Sequence, residues 1–70
     1  MAPTKIINHI RELRFKAGEM TQQELANTVG VTRQTILAIE AGRYSPSLEV
    51  AFKIARTFKV GVDEVFDYPE

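Results

Sequence analysis

Two capped segments separated by a two-residue link constrain this chain more than any other feature. The first opens with Thr21-Gln22-Gln23-Glu24, a capping box in which the N-cap threonine and the glutamate three residues on satisfy each other's backbone N–H groups. Met20 before the cap and Leu25 after it are spaced as a hydrophobic staple. Leu25, Ala26 and Val29 form one apolar stripe, and Gly30 stops it. Thr32 caps the next segment, which runs to about Ala41 with Ile36 and Ile39 facing inward. Only Gly30-Val31 lies between the two. So short a link makes the helices cross sharply instead of lying antiparallel. Ala26 is small enough for close approach, Gly30 is free to take a positive φ at the turn, and Val31 plugs the corner into the core. The outer face of the later helix then carries Arg33, Gln34, Leu37, Ala38 and Ala41.

The rest of the chain reads as more helix. A first segment over residues 5–17 places Ile6, Ile10, Leu13 and Ala17 at helical spacing, with Thr4 as N-cap and Gly18 as stop. A fourth, over 47–58, starts at Ser47 and carries Leu48, Ala51, Ile54, Ala55 and Phe58. A fifth, over 62–66, has Asp63 and Glu64 near its positive end. No stretch of four or more residues alternates apolar and polar as a strand would. The expectation is an all-α fold, a compact five-helix bundle forming a single domain over residues 1–70.

Composition narrows the function. There is no cysteine, so neither a disulfide nor a thiolate metal site is available, and the lone His9 cannot hold a metal by itself. His9 is expected at the surface with no special role. No cofactor and no small-molecule effector site is indicated. Nucleophile–base pairs and glycine-rich phosphate loops are missing, so an enzyme is not expected. The apolar runs are far too short to span a membrane, and a cytoplasmic protein is expected. The net charge is zero but unevenly spread. All nine Lys and Arg lie between Lys5 and Lys59, whereas Asp63, Glu64, Asp67 and Glu70 close the chain. A cationic body with an acidic end is able to meet phosphates on one face.

Taken in order, Thr21-Gln22-Gln23-Glu24-Leu25-Ala26, Val29-Gly30-Val31-Thr32-Arg33-Gln34-Thr35-Ile36, Ile39-Glu40-Ala41-Gly42-Arg43 and Pro46-Ser47-Leu48 resemble the Xre-type helix-turn-helix family of phage repressors and Cro. The likeness continues through Ile10-Arg11-Glu12-Leu13-Arg14 and through Asp63-Glu64-Val65-Phe66, and so covers nearly the whole chain. It implies a lambda-repressor-like DNA-binding domain that binds double-stranded DNA through the major groove. Arg33 and Gln34 match the first exposed positions of the recognition helix. Their chemistry suits them to base edges, Arg to guanine and Gln to adenine. Thr35 and Ala38 match further groove-facing positions. Gln22 and Arg43 match phosphate contacts, Gln22 at a helix N-terminus whose free N–H groups favour an anion. Arg14 and Glu40 match an ion pair that clamps the recognition helix. The link Ala17-Gly18-Glu19-Met20 departs from the family's common pattern by one extra residue.

Val62, Val65, Phe66 and Tyr68 are more apolar material than a short terminal helix needs. The resemblance implies a homodimer joined through this region, with two recognition helices about 34 Å apart in successive major grooves. The function expected is that of a small transcriptional regulator, a repressor on a palindromic operator. The alternative is an antitoxin or protein-interaction module built on the same fold.

Overall fold

A computed structural model describes residues 3–69. In chain order the elements are β1 (Ile7–Asn8), α1 (Ile10–Lys16), α2 (Gln22–Val29), α3 (Arg33–Glu40), α4 (Leu48–Thr57), α5 (Val62–Val65) and β2 (Phe66–Asp67). All five expected helices form. Their buried faces meet in one core of Ile10, Leu25, Ala26, Val29, Ile36, Ile39, Ile54, Ala55 and Val65. Leu13, Met20, Val31, Phe58 and Val62 pack around it.

Local chemistry sets most boundaries. Thr21 Oγ1 accepts the Glu24 N–H at 3.0 Å, and Glu24 Oε1 accepts the Thr21 N–H at 2.9 Å. The Thr21 backbone, and after it the Thr21 hydroxyl, holds the Glu24 carboxyl below its ordinary pKa. A depressed carboxyl pKa strengthens the fold above the unfolded value, and that support is lost as pH falls through the folded one. Thr32 caps α3 through the Thr35 N–H at 3.2 Å, and Ser47 caps α4 through the Val50 N–H at 3.2 Å.

The corner between α2 and α3 turns on Gly30, at φ 78°. Its N–H and that of Val31 both donate to the Ala26 carbonyl, at 2.9 and 3.0 Å, closing α2. A methyl group at Gly30 would meet nothing within 4 Å, so only backbone conformation opposes a side chain there. Gly30→Ala is accordingly expected to lower stability by about 1–2 kcal/mol, the penalty of a left-handed L-residue. A chemically synthesised chain with D-alanine at this position should recover it, and equal melting temperatures for the two epimers would refute the argument.

The N-terminal segment corrects the expectation of an all-helical chain. Residues expected in the first helix instead form β1, which pairs antiparallel with β2 in the register Ile7↔Asp67, Asn8↔Phe66. Thr4 is not the cap of α1: its hydroxyl accepts the Ile6 N–H at 3.2 Å, and the helix starts only after His9. Two causes are visible. Ile6 and Ile7 are β-branched and favour extended backbone. Asn8 Oδ1 accepts the Ile10 N–H at 3.2 Å, a local bond that competes with helix upstream. The α1–α2 link turns on two consecutive left-handed residues, Gly18 at φ 79° and Glu19 at φ 58°. Leu48 sits at the flank of the buried stripe of α4 and is 72% exposed, not part of the core.

Candidate nucleic-acid interface

Helix α3 is held on its inner face by Ile36 and Ile39, both in the core, so its opposite face is presented outward. Arg33 and Gln34 occupy its first turn and are exposed. Neither Arg33 nor Arg43 joins an ion pair among the described residues. Gln34, Leu37, Ala38 and Arg43 line one shallow hollow of about 260 Å³ along this face. Arg43 follows Gly42, whose φ of 74° ends α3, and its own N–H returns to the Ala38 carbonyl at 3.0 Å. That bond fixes where the arginine leaves the helix end.

Two of the anticipated groove-facing residues differ from a freely offered side chain. Ala38 is only 7% exposed: it floors the hollow and does not project from it. Thr35 is half-buried, and its hydroxyl lies 3.0 Å from that of Thr32, so it serves the cap of its own helix.

The single acid of α3 is neutralised. Arg14 Nε donates to Glu40 Oε2 at 2.8 Å, and Nη2 donates to Oε1 at 3.0 Å, a two-pronged pair. The third prong, Nη1, donates to the Met20 carbonyl at 2.8 Å. The arginine and glutamate side chains are 15% and 10% exposed. One guanidinium thus joins α1, the entry to α2, and the end of α3. Gln22, at the first position of α2, is half-buried, and its side-chain amide donates to Glu40 Oε1 at 3.4 Å. The α2 N-terminus is thereby tied to the same cluster, and with the Glu24 N–H taken by the Thr21 cap, those of Gln22 and Gln23 are left for an outside acceptor.

This arrangement, two crossed helices with a polar outer face on the second, is matched at sequence level. The family model described as Helix-turn-helix matches residues 10–65. The chain belongs to the Xre-like helix-turn-helix family. Among its relatives is an uncharacterized HTH-type transcriptional regulator of Archaeoglobus fulgidus, 51% identical over 61 residues, which cover 87% of this chain and 86% of that protein. The transcriptional repressor RstR of the cryptic phage CTXphi of Vibrio cholerae is 41% identical over 80% of this chain, which spans half of that repressor's length. A crystal structure from Bacteroides fragilis, of a protein described as DNA-binding, superposes with a TM-score of 0.77. It covers 89% of this chain and 98% of its own, and at 22% identity it supports the fold alone. These helix-turn-helix proteins are transcriptional regulators that bind DNA, not an enzyme family.

The C-terminal residues of this helix-turn-helix chain need a correction. Val65 is 0% exposed and belongs to the core of its own chain, so it is not available to a second copy. Val62 and Phe66 are half-buried against the same core, and Phe66 lies in β2. Tyr68 alone of the four is open, at 64%. A four-residue α5 has so little surface that sealing the core uses most of it. Sequence reasoning also missed Asn8, whose amide nitrogen lies 3.0 Å from the Ile39 carbonyl and 3.3 Å from that of Glu40. Its one visible signal was a polar break, Asn8-His9, inside an otherwise isoleucine-rich run.

Proposed function

We propose that this chain is a sequence-specific transcriptional repressor that reads operator DNA with α3. The observation that carries the reading is the pair Arg33 and Gln34: exposed, in the first turn after the glycine corner, with Arg33 in no ion pair among the described residues and the helix's own acid neutralised by Arg14. Arg33 has the fork geometry for guanine O6 and N7, and Gln34 the donor and acceptor for adenine. Thr35 and Ala38 contribute at most the edge of a methyl group to the groove. Gln22 with the α2 N-terminus, and Arg43 at the far end of α3, hold phosphates on either side. The name of the phage relative supports repression as the outcome.

Binding is as a two-fold homodimer on a palindromic operator, in the cytoplasm. Tyr68 and Ile7, both exposed and the second in the strand pair, supply apolar surface for that contact. Val62 and Phe66 form its base.

Selection of bound sequences from a random duplex pool tests the reading. The expected product is one consensus with two-fold symmetry and half-sites centred about 10 base pairs apart. Its affinity should fall steeply with salt, as counterions are released on phosphate neutralisation. A pool that emerges unenriched overturns DNA reading, and an enriched but asymmetric single site overturns the dimer.

A further inference from the structure

The N-terminal segment touches the reading helix in a way that its helix-turn-helix role does not require. The last carbonyls of any helix lack intrahelical partners. In α3 the Leu37, Ala38 and Ile39 carbonyls accept the nearby N–H groups of Ala41, Arg43 and Gly42, and the end of the helix is held from a distance as well. Asn8 Nδ2 donates to the Ile39 carbonyl at 3.0 Å and approaches that of Glu40 at 3.3 Å, and the Thr4 N–H donates to the Gly42 carbonyl at 3.1 Å. Asn8 is itself gripped on both sides. Its Oδ1 accepts the Ile10 N–H at 3.2 Å, and its backbone pairs with Phe66 in the strand ladder. The next residue, His9, donates its N–H to the Val65 carbonyl at 2.8 Å. The amide orientation follows from these partners, because the flipped form would set an oxygen against two carbonyls.

We propose that Asn8 is a positioning residue for DNA reading: it anchors the C-terminal end of α3 to the strand pair and so sets the angle at which Arg33 and Gln34 meet the bases. The inference rests on the DNA-reading function proposed above. Arg14 holds α3 by a side chain, at Glu40, whereas Asn8 holds its backbone. Arg33 and Ile39 are separated by about 9 Å along the axis, so a tilt of about 10° pivoting at the C-terminal end displaces Arg33 by about 1.6 Å. Productive site geometry tolerates about 0.5 Å.

Asn8→Asp isolates the effect. Aspartate keeps the shape and the acceptor for the Ile10 N–H, but it replaces the donor by a negative charge facing two carbonyls at the negative end of a helix. The measurement is the ratio of affinities for the selected operator and for unrelated duplex, for wild type and Asn8→Asp. That ratio is expected to drop on the order of ten-fold, the discrimination lost when a bidentate base contact is misaligned. Loss of global stability lowers the folded fraction, and so scales both affinities alike and leaves the ratio unmoved. Should Asn8→Asp fail to fold, Asn8→Ala, which adds no charge, carries the same comparison. A wild-type ratio retained in the folded variant overturns the positioning role. A wild type that itself shows no preference overturns the DNA reading beneath it.

Discussion

Glu40→Ala is expected to lower stability by about 3 kcal/mol, the low end for breaking a buried ion pair, because water still reaches about a tenth of these side chains. The cause is what remains. Arg14 keeps its bond to the Met20 carbonyl but loses both carboxylate oxygens, and Gln22 loses the one side-chain acceptor it has among the described residues. For a domain of this size that corresponds to a fall in melting temperature of roughly 12–24 °C. The double variant Arg14→Met, Glu40→Leu should be closer to wild type than Glu40→Ala alone, since no unpaired charge is left behind. Thermal melts followed by circular dichroism check both statements. A Glu40→Ala protein melting within a few degrees of wild type would show that the pair contributes nothing. Removal of the arginine alone has a further consequence. Arg14→Met uncovers a carboxylate on the reading helix, next to the α2 N-terminus, and should weaken DNA binding more than Glu40→Ala does at matched stability.

The second large effect concerns base preference. Arg33→Ala is expected to reduce affinity for the selected operator by about 10–100-fold, the worth of a bidentate base contact, and to relax preference at one base pair per half-site. Gln34→Ala should act likewise at a neighbouring pair. Arg33→Lys should not rescue, because a lysine cannot form the planar fork. Arg43→Ala, by contrast, should weaken all sequences alike and reduce the salt dependence by about one counterion. Titrations against the operator and its single-base variants separate these outcomes. If Arg33→Ala and Gln34→Ala preserved the wild-type preference, the reading face would have to be sought elsewhere on the molecule.

Much of this molecule is written in interactions four residues long or shorter. The capping box at Thr21, the caps at Thr32 and Ser47, and the left-handed stop at Gly30 each join residues adjacent in the chain. The apolar stripe of α2 is equally local. From these alone follow the helices, the sharp corner and the outward placement of Arg33 and Gln34. The Arg14–Glu40 pair spans 26 residues. Family resemblance, not chain-local chemistry, anticipated it.

What only the tertiary structure decided lies in the partners met at long range. Ile6 and Ile7 carry a helical spacing, yet their segment pairs with Phe66 and Asp67, about sixty residues downstream, through backbone groups that carry no sequence mark. Val65 and Tyr68 look alike as apolar residues of one tail, but the core takes the first and leaves the second in water. Ala38 shares the outer face of α3 with Gln34 and is nonetheless covered. Asn8 reads as a surface break until the end of α3 arrives beside it. Sequence by itself determined α2, α3, α4 and the corner, because caps and stripes act within a turn of helix. Burial, strand pairing and the anchoring of α3 depended on which distant surfaces met, which only the packed chain settles.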